Sequence, residues 1–336
     1  MFNKIHPNLD YRESDRDFWN KEFENFVPDK IFDCHIHMFN KEALYHKYQP
    51  ECQMPNADFK LIQRYHNQVF PNRKVNSLFL GFPYAGTDTS KHNDFMFEET
   101  LGDSYSVKNR LTTPDCTLDD IKNDINRGFV GLKVYRIYSV TGDIANCRIH
   151  EFLTHEQMEL ANDLGLWVTL HMSRSDGCGD EENLKDLEEY TNKKYPNIKW
   201  ILAHCARSFT YEPIRKAIDR LKAMPNIYYD LSAVTDVRPF ITLFQKENLN
   251  RIFYGSDGID SSSFHGTYGA FGTSWQSIDL DKIDVHFKHT SNRPVIALYE
   301  QLLSIKHAAE IAQLGKTDID KIFWSNASRE FNIGFN

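Results

Sequence analysis

The sequence lacks the features that mark membrane-spanning, secreted and disulfide-stabilised proteins. No apolar run approaches the ~18 residues that a membrane-spanning helix needs. Residues 1–30 are polar and aromatic and contain no apolar segment of the kind found in signal peptides. The 6 cysteines include no Cys-x-x-Cys pair, which is typical of reduced thiols in an intracellular chain. These absences predict a cytoplasmic protein that contacts no membrane.

The sequence also lacks an excess of basic residues. Its 39 Lys and Arg stand against 47 Asp and Glu, for a formal net charge of −8. This balance argues against a protein that binds nucleic acid through a basic surface. No Gly-x-Gly-x-x-Gly turn is present, which disfavours a doubly wound dinucleotide-binding sheet. What remains is a composition typical of a globular domain, with 41% hydrophobic and 26% charged residues.

Short apolar segments alternate along the chain with amphipathic ones. Eight of these segments have the length and composition of strands: Lys30–His37, Val75–Phe82, Tyr105–Leu111, Phe129–Ile137, Leu166–His171, Ile198–His204, Asn226–Ser232 and Arg251–Ser256. The segments between them read as helices; for example, Thr154 and Gln157 form a capping box, and Gly165 would end that helix. Because strands that alternate with helices form parallel β-α units, eight such units predict an α/β fold, a (β/α)8 TIM barrel.

The chain is longer than a minimal barrel requires. We predict an N-terminal extension over residues 1–29, packed on a barrel domain over residues 30–336, with long loops after strands 1, 2 and 8 (38–74, 83–104 and 258–290). Loops that follow barrel strands line the active-site mouth, so we expect these loops to enclose a substrate. The alternative is that they form subunit contacts, and their aromatic residues are compatible with a homodimer.

Polar residues stand where the predicted strands end. His35 and His37 are two residues apart, so their side chains project to the same face of strand 1 and can bind one metal ion. Four further polar residues lie in or at the ends of strands 4, 5, 6 and 8: Lys133, His171, His204 and Asp257. Each of them alone is explained by packing or by a turn. Together they occupy the end of the barrel where such enzymes keep their chemistry, and imidazole with carboxylate suits Zn, Mn or Fe.

The order His-x-His, Lys, His, His, Asp resembles the amidohydrolase superfamily of metal-dependent TIM barrels. Several strings are similar to its amidohydrolase-related (amidohydrolase 2) branch: Gly128-Phe129-Val130-Gly131-Leu132-Lys133, Ile201-Leu202-Ala203-His204, Ile227-Tyr228-Tyr229-Asp230-Leu231-Ser232, Phe253-Tyr254-Gly255-Ser256-Asp257 and Ile322–Phe331. The resemblance runs from about residue 30 to the end of the chain. It implies an enzyme that acts on a small, carboxylated molecule.

The resemblance also implies roles for individual residues. The ligands of a single divalent ion, which we expect to be Zn with Mn or Fe as alternatives, would be His35, His37, His171 and Asp257. In two-metal members of the superfamily, a carboxylated Lys133 would bridge the ions, and His204 would be a further ligand. Asp257 and His204 would be the catalytic acid and base groups, with Asp257 accepting a proton from the attacking water.

The expected reaction is hydrolysis, in which metal-activated water attacks the carbonyl of an amide, lactone or ester. Three arginines, each three residues past a strand-end residue, are predicted to bind a substrate carboxylate, the alternative being salt bridges to neighbouring helices: Arg136, Arg174 and Arg207. Tyr135 would line the same site, and His265 in the last long loop is a further candidate. Two other functions stay open: a non-oxidative decarboxylase on the same metal site, and a barrel that binds a ligand without turning it over.

Overall fold

A computed structural model describes residues 10–44, 56–259, 261–283, 289 and 294–334. Its main sheet has eight parallel strands, each paired with the next one along the chain. They are β1 (Lys30–Met38), β2 (Lys74–Gly81), β3 (Val107–Leu111), β4 (Gly131–Tyr135), β5 (Trp167–His171), β6 (Lys199–Leu202), β7 (Ile227–Asp230) and β8 (Ile252–Phe253).

The last strand closes the ring against the first. The Cys34 amide donates to the Tyr254 carbonyl at 2.9 Å, and the Asp257 amide donates to the His35 carbonyl at 2.7 Å. These bonds confirm the predicted (β/α)8 TIM barrel. The eighth strand is shorter than predicted, because its ladder with β7 contains only Ile252 and Phe253, and Asp257 beyond it takes a left-handed φ of 54°.

Helices lie between the strands and around them. They are α1 (Glu13–Phe18), α2 (Lys41–Leu44), α3 (Phe59–Val69), α4 (Thr89–Glu99), α5 (Leu118–Asn126), α6 (His155–Leu164), α7 (Glu181–Glu189), α8 (Ala203–Arg207), α9 (Tyr211–Leu221), α10 (Val237–Lys246), α11 (Ala297–Ile311), α12 (Lys316–Asp320) and α13 (Asn326–Glu330). The predicted capping box of Thr154 and Gln157 starts α6, and a left-handed Gly165 ends it. Among the described residues, no helix is both long and apolar enough to cross a bilayer.

Two segments outside the regular barrel cover parts of it. In the N-terminal segment, the fully buried Trp19 packs edge-on against Phe70 of the loop after α3 and also contacts Tyr299 of α11. The long stretch after β8, predicted only as a loop, contains a two-stranded antiparallel hairpin of β9 (Gly266–Phe271) and β10 (Ser274–Asp279). Glycine suits the turn of this hairpin, where Gly272 has a φ of 65°.

Candidate active site

Two histidines of β1 and one aspartate after β8 form the centre of the barrel mouth. The Nε2 atoms of His35 and His37 each lie 3.5 Å from Oδ1 of Asp257. Among the described residues, these three are a buried group whose potential ligand atoms all lie within 4.8 Å of one another. This spacing and this donor set fit a divalent transition-metal ion.

Hydrogen bonds on the far side of each imidazole fix its orientation. Nδ1 of His35 donates to Asp230 at 2.9 Å, and Nδ1 of His37 donates to the Gly81 carbonyl at 3.2 Å. Because Nδ1 carries the proton in both rings, both Nε2 atoms present a lone pair to the mouth. This arrangement is the one that metal-binding histidines adopt.

Glycine makes the approach of the strand-8 end to β1 possible. A Cβ added at Gly255 would lie 2.9 Å from Cβ of His35, closer than side-chain carbons pack. The glycine therefore allows Asp257, two residues later, to reach the histidines.

Lys133 of β4 lies inside the same group, with its Nζ 3.2 Å from Nε2 of His35. Burial lowers the pKa of the Lys133 ammonium and raises the pKa of the Asp257 carboxyl, and their mutual attraction opposes both shifts. Burial and the charge of Lys133 also hold the pKa values of His35 and His37 well below the usual value. Both imidazoles are therefore neutral at physiological pH, as metal ligands must be.

His171 and His204 form the next part of the wall. Their ring centroids are 5.1 Å apart, and the His204 ring lies 4.8 Å from that of His35. Nδ1 of His171 donates to the Met172 carbonyl, and Nδ1 of His204 donates to the Ser232 carbonyl, each at 3.2 Å. The Nε2 atoms of these two rings therefore also carry no proton and can act as ligands or acceptors. His171 is not in the compact group of His35, His37 and Asp257.

His204 reaches the mouth through an unusual backbone. Four consecutive residues that are not glycine, 204–207, have left-handed φ angles between 52° and 59°, so the segment named α8 is a left-handed turn and not a right-handed helix. The Asp230 carboxylate accepts the His204 amide at 3.0 Å, and burial lowers the pKa of the His204 imidazole to about 3. Such backbone conformations are costly and cluster at functional sites.

Two buried carboxylates that sequence reasoning missed support this constellation. Asp230 binds His35 and the His204 amide, and it also accepts a hydrogen bond from the Ser232 hydroxyl. Asp33 accepts from the Ser256 hydroxyl at 2.5 Å and from His66 at 3.2 Å. The available signal was position: Asp230 ends a predicted strand, and Asp33 lies two residues before His35 in predicted strand 1.

Two of the three predicted arginines, Arg136 and Arg207, stand at the edge of this site without a counter-ion. Among the described residues, neither guanidinium has a carboxylate within ion-pair distance, and the buried Nε atom of each has no hydrogen-bond partner. Burial and the charge of Arg136 lower the pKa of Arg207 to about 10. Both arginines also lower the pKa of His171, and Tyr135 packs on that ring with centroids 4.2 Å apart. The arrangement suits a bound anion.

Arg136 and Arg207 each donate one Nη hydrogen bond to a backbone carbonyl, of Ile144 and Arg174, whereas the other two candidates meet carboxylates. Nε of Arg174 lies 2.8 Å from Asp180, and its Nη1 donates to the Asn146 carbonyl at 2.5 Å. The buried His265 binds Asp15 at 3.0 Å through its Nε2 atom. Both side chains therefore have a carboxylate partner in the fold, and for Arg174 this is the salt bridge to a neighbouring helix given above as the alternative.

Aromatic side chains roof the mouth. Trp275 of β10 stacks on Phe209 with centroids 4.0 Å apart, and the Phe209 ring lies 5.4 Å from that of His204. Tyr268 of β9 contacts both Phe209 and Trp275. These three residues form the aromatic roof of the site.

Comparison with known proteins identifies the family of this barrel. The family model described as Amidohydrolase matches residues 32–333. The chain belongs to the amidohydrolase family. The match confirms the resemblance predicted from the strand ends. This amidohydrolase is therefore an enzyme of a metal-dependent family. Comparison of its sequence with curated proteins gives no match.

Solved structures similar to this amidohydrolase share its fold at low sequence identity. A probable 2-pyrone-4,6-dicarboxylic acid hydrolase from Acinetobacter baumannii is 13% identical with a TM-score of 0.61, over 90% of this chain and 99% of that one. A dihydroxybenzoic acid decarboxylase from Polaromonas, with bound manganese and 2-nitroresorcinol, is 14% identical with a TM-score of 0.59, over 91% and 97%. The 4-oxalomesaconate hydratase of Rhodopseudomonas palustris is 13% identical with a TM-score of 0.57, over 90% and 95%.

Proposed function

We propose that this amidohydrolase hydrolyses an amide, lactone or ester bond in a small molecule that carries a carboxylate. The observation that carries this proposal is the pair of Arg136 and Arg207, which lack a carboxylate partner among the described residues and lie beside the histidine cluster. Guanidinium groups in such a setting bind carboxylates with charge-assisted hydrogen bonds. The named substrates of the hydrolase and decarboxylase neighbours are likewise carboxylated.

The residues of the mouth divide into two roles. His35, His37 and Asp257 would hold a divalent ion, with His171 at its edge; we propose Zn, with Mn as the alternative because one structural neighbour contains it. Such an ion supplies Lewis acidity toward a carbonyl oxygen and lowers the pKa of a bound water. Asp257 would accept the proton of the attacking water, because burial raises the pKa of this carboxyl. His204, whose Nε2 is an acceptor, would take up that proton and pass it to the leaving group.

The proposal is tested by metal analysis and a substrate panel. Purified protein, as isolated and after loading with Zn or Mn, is assayed against carboxylated lactones, esters and amides and against their uncharged counterparts. We expect one ion per chain and turnover of carboxylated members only. Protein that neither contains nor takes up metal, or that prefers uncharged members, would contradict the proposal and favour a non-catalytic barrel.

Arginine variants test the anion site directly. Replacing Arg207 with Met removes a charged donor worth about 1.5–3 kcal/mol, so KM for the carboxylated substrate should rise ~10- to 150-fold with little change in kcat. The matched control is Arg215→Met, because Arg215 is exposed and paired with Glu212 within α9. An unchanged KM in the Arg207 variant would remove this residue from the site.

A decarboxylase on the same site is the second candidate. The aromatic roof of Phe209, Tyr268 and Trp275 favours it, because a flat aromatic acid would fit beneath such rings. The same panel therefore includes hydroxybenzoates, with carbon dioxide release as the readout. Carbon dioxide without a hydrolysis product would select the decarboxylase.

A further inference from the structure

A buried carboxylate in the N-terminal segment holds the aromatic roof from outside the barrel. Asp15 of α1 is fully buried, and its Oδ2 atom lies 3.0 Å from Nε2 of His265, the residue immediately before β9. Its Oδ1 atom accepts the Ile296 amide at 3.0 Å. One side chain therefore ties together the two chain segments that flank the hairpin.

A second ion pair from the same segment reaches the other strand of the hairpin. Nη2 of Arg12 lies 2.5 Å from Asp281, two residues past the end of β10. The Arg12 amide also donates to Asp15 at 2.7 Å, so the two contacts form one unit. Both ends of the hairpin are thus fastened to the N-terminal segment.

The opposite end of the hairpin meets the active site. The Tyr268 amide donates to the Thr235 hydroxyl at 3.1 Å, and that hydroxyl donates to the Tyr268 carbonyl at 2.8 Å. Trp275 stacks on Phe209, which in turn packs on His204. A change at the base of the hairpin therefore has a continuous path of contacts to His204.

We propose that Asp15 is a positioning residue of this enzyme: acting through His265 and Ile296, it holds the β9–β10 hairpin so that Trp275 stays stacked on Phe209 above His204. Asp15 touches no residue of the proposed catalytic set. The consequence for substrate rests on the proposed function, whereas the effect on the hairpin does not.

The test is hydrogen–deuterium exchange on the full chain without substrate, comparing Asp15→Asn with the wild type. The new side chain keeps one carbonyl oxygen, so it can accept from the Ile296 amide or from the Arg12 amide beside His265, but it can no longer accept on both sides. We expect amides of residues 266–279 to exchange at least tenfold faster, with a smaller increase at 204–211, and no change in β4 or β5. Asp17→Asn is the matched control, because Asp17 is an exposed aspartate of the same helix.

A second pair of variants covers the case in which Asp15→Asn does not fold. His265→Ala should loosen the hairpin in the same way, and His265→Gln should restore protection, because its side-chain amide can donate to Asp15. Unchanged exchange at 266–279, or faster exchange confined to α1, would overturn the proposal. Faster exchange of the hairpin with no change at 204–211 would also overturn it, since the path to His204 would be absent. With a substrate in hand, the Asp15 variant should raise KM more than it lowers kcat.

Discussion

Two strand ends bring histidines to the same mouth by different means. At the end of β1, His35 and His37 lie two residues apart in an extended strand whose pairing with β2 shifts register between Asp33 and Ile36, and both side chains point inward. At the end of β6, His204 begins a run of four left-handed residues that are not glycine. One end keeps extended backbone on both sides of a register shift, and the other uses a conformation that costs about 1–2 kcal/mol per residue.

The difference in backbone conformation suits the role that we propose for each strand end. An extended strand end places two imidazoles at a fixed spacing, which is what shared coordination of one ion requires. The left-handed run instead turns the chain sharply, so that His204 and Arg207 both border the mouth from a five-residue segment. Asp230 joins the two ends, because it binds the His35 ring and the His204 amide.

Removing a proposed metal ligand should have the largest effect on activity. His37→Ala removes a proposed ligand of β1. Asp257→Asn replaces the carboxylate opposite it with a neutral amide. We expect both variants to lose bound metal and at least ~1000-fold in kcat/KM, because each change removes one of the three closely spaced ligands of the proposed ion. Metal content by mass spectrometry and turnover of the best substrate are the measurements.

His204→Ala is the comparison for the left-handed end. It should keep its metal and lose ~100- to 10,000-fold in kcat, as expected for a group that transfers protons. Metal loss in this variant as complete as in His37→Ala would make His204 a ligand and favour the two-metal arrangement with Lys133. Near-full activity of Asp257→Asn would remove that residue from the catalytic set.

The residue that joins the two ends should give an intermediate effect. Asp230→Asn keeps the shape of the side chain and removes the charge that fixes the His35 ring. Metal affinity should fall ~10- to 100-fold, as for other carboxylates that support a ligating histidine. The control is Asp236→Asn, which changes an aspartate that caps α10 outside the site. Equal metal affinity in both variants would mean that Asp230 serves packing alone.

The same contrast explains how much of the site the sequence could predict. The barrel and the polar residues at its strand ends follow from periodicity, because alternation and strand–helix repeats are local patterns. The left-handed run at 204–207 could not be predicted, since no glycine marks it and its contacts come from β7 and from the segment at Arg174. Arg174, Arg207 and Arg136 have identical sequence spacing, yet among the described residues only Arg174 meets a carboxylate, because Asp180 caps the next helix beside it.

The β9–β10 hairpin marks a second limit. Its segment predicts a loop because Ser and Gly interrupt the apolar residues, and within the described part of the chain its two strands form a sheet of their own. What holds it is a set of distant contacts to Asp15 and Thr235, which no local pattern contains. Local patterns therefore predicted the polar residues at the strand ends, whereas tertiary contacts determine the position of the aromatic roof.

The smallest predicted effect measures the cost of the left-handed end itself. Ala206 has a φ of 58°, whereas Ala203, three residues earlier, lies outside the left-handed region, and both are fully buried. Ala→Gly at either site removes the same methyl group, but only at 206 does it also relieve the left-handed penalty. The free energy of unfolding, measured with urea, should therefore be about 1–2 kcal/mol higher for Ala206→Gly than for Ala203→Gly. Equal values would show that contacts from Asp230 and the neighbouring segments, rather than local backbone preference, set the energy of this turn.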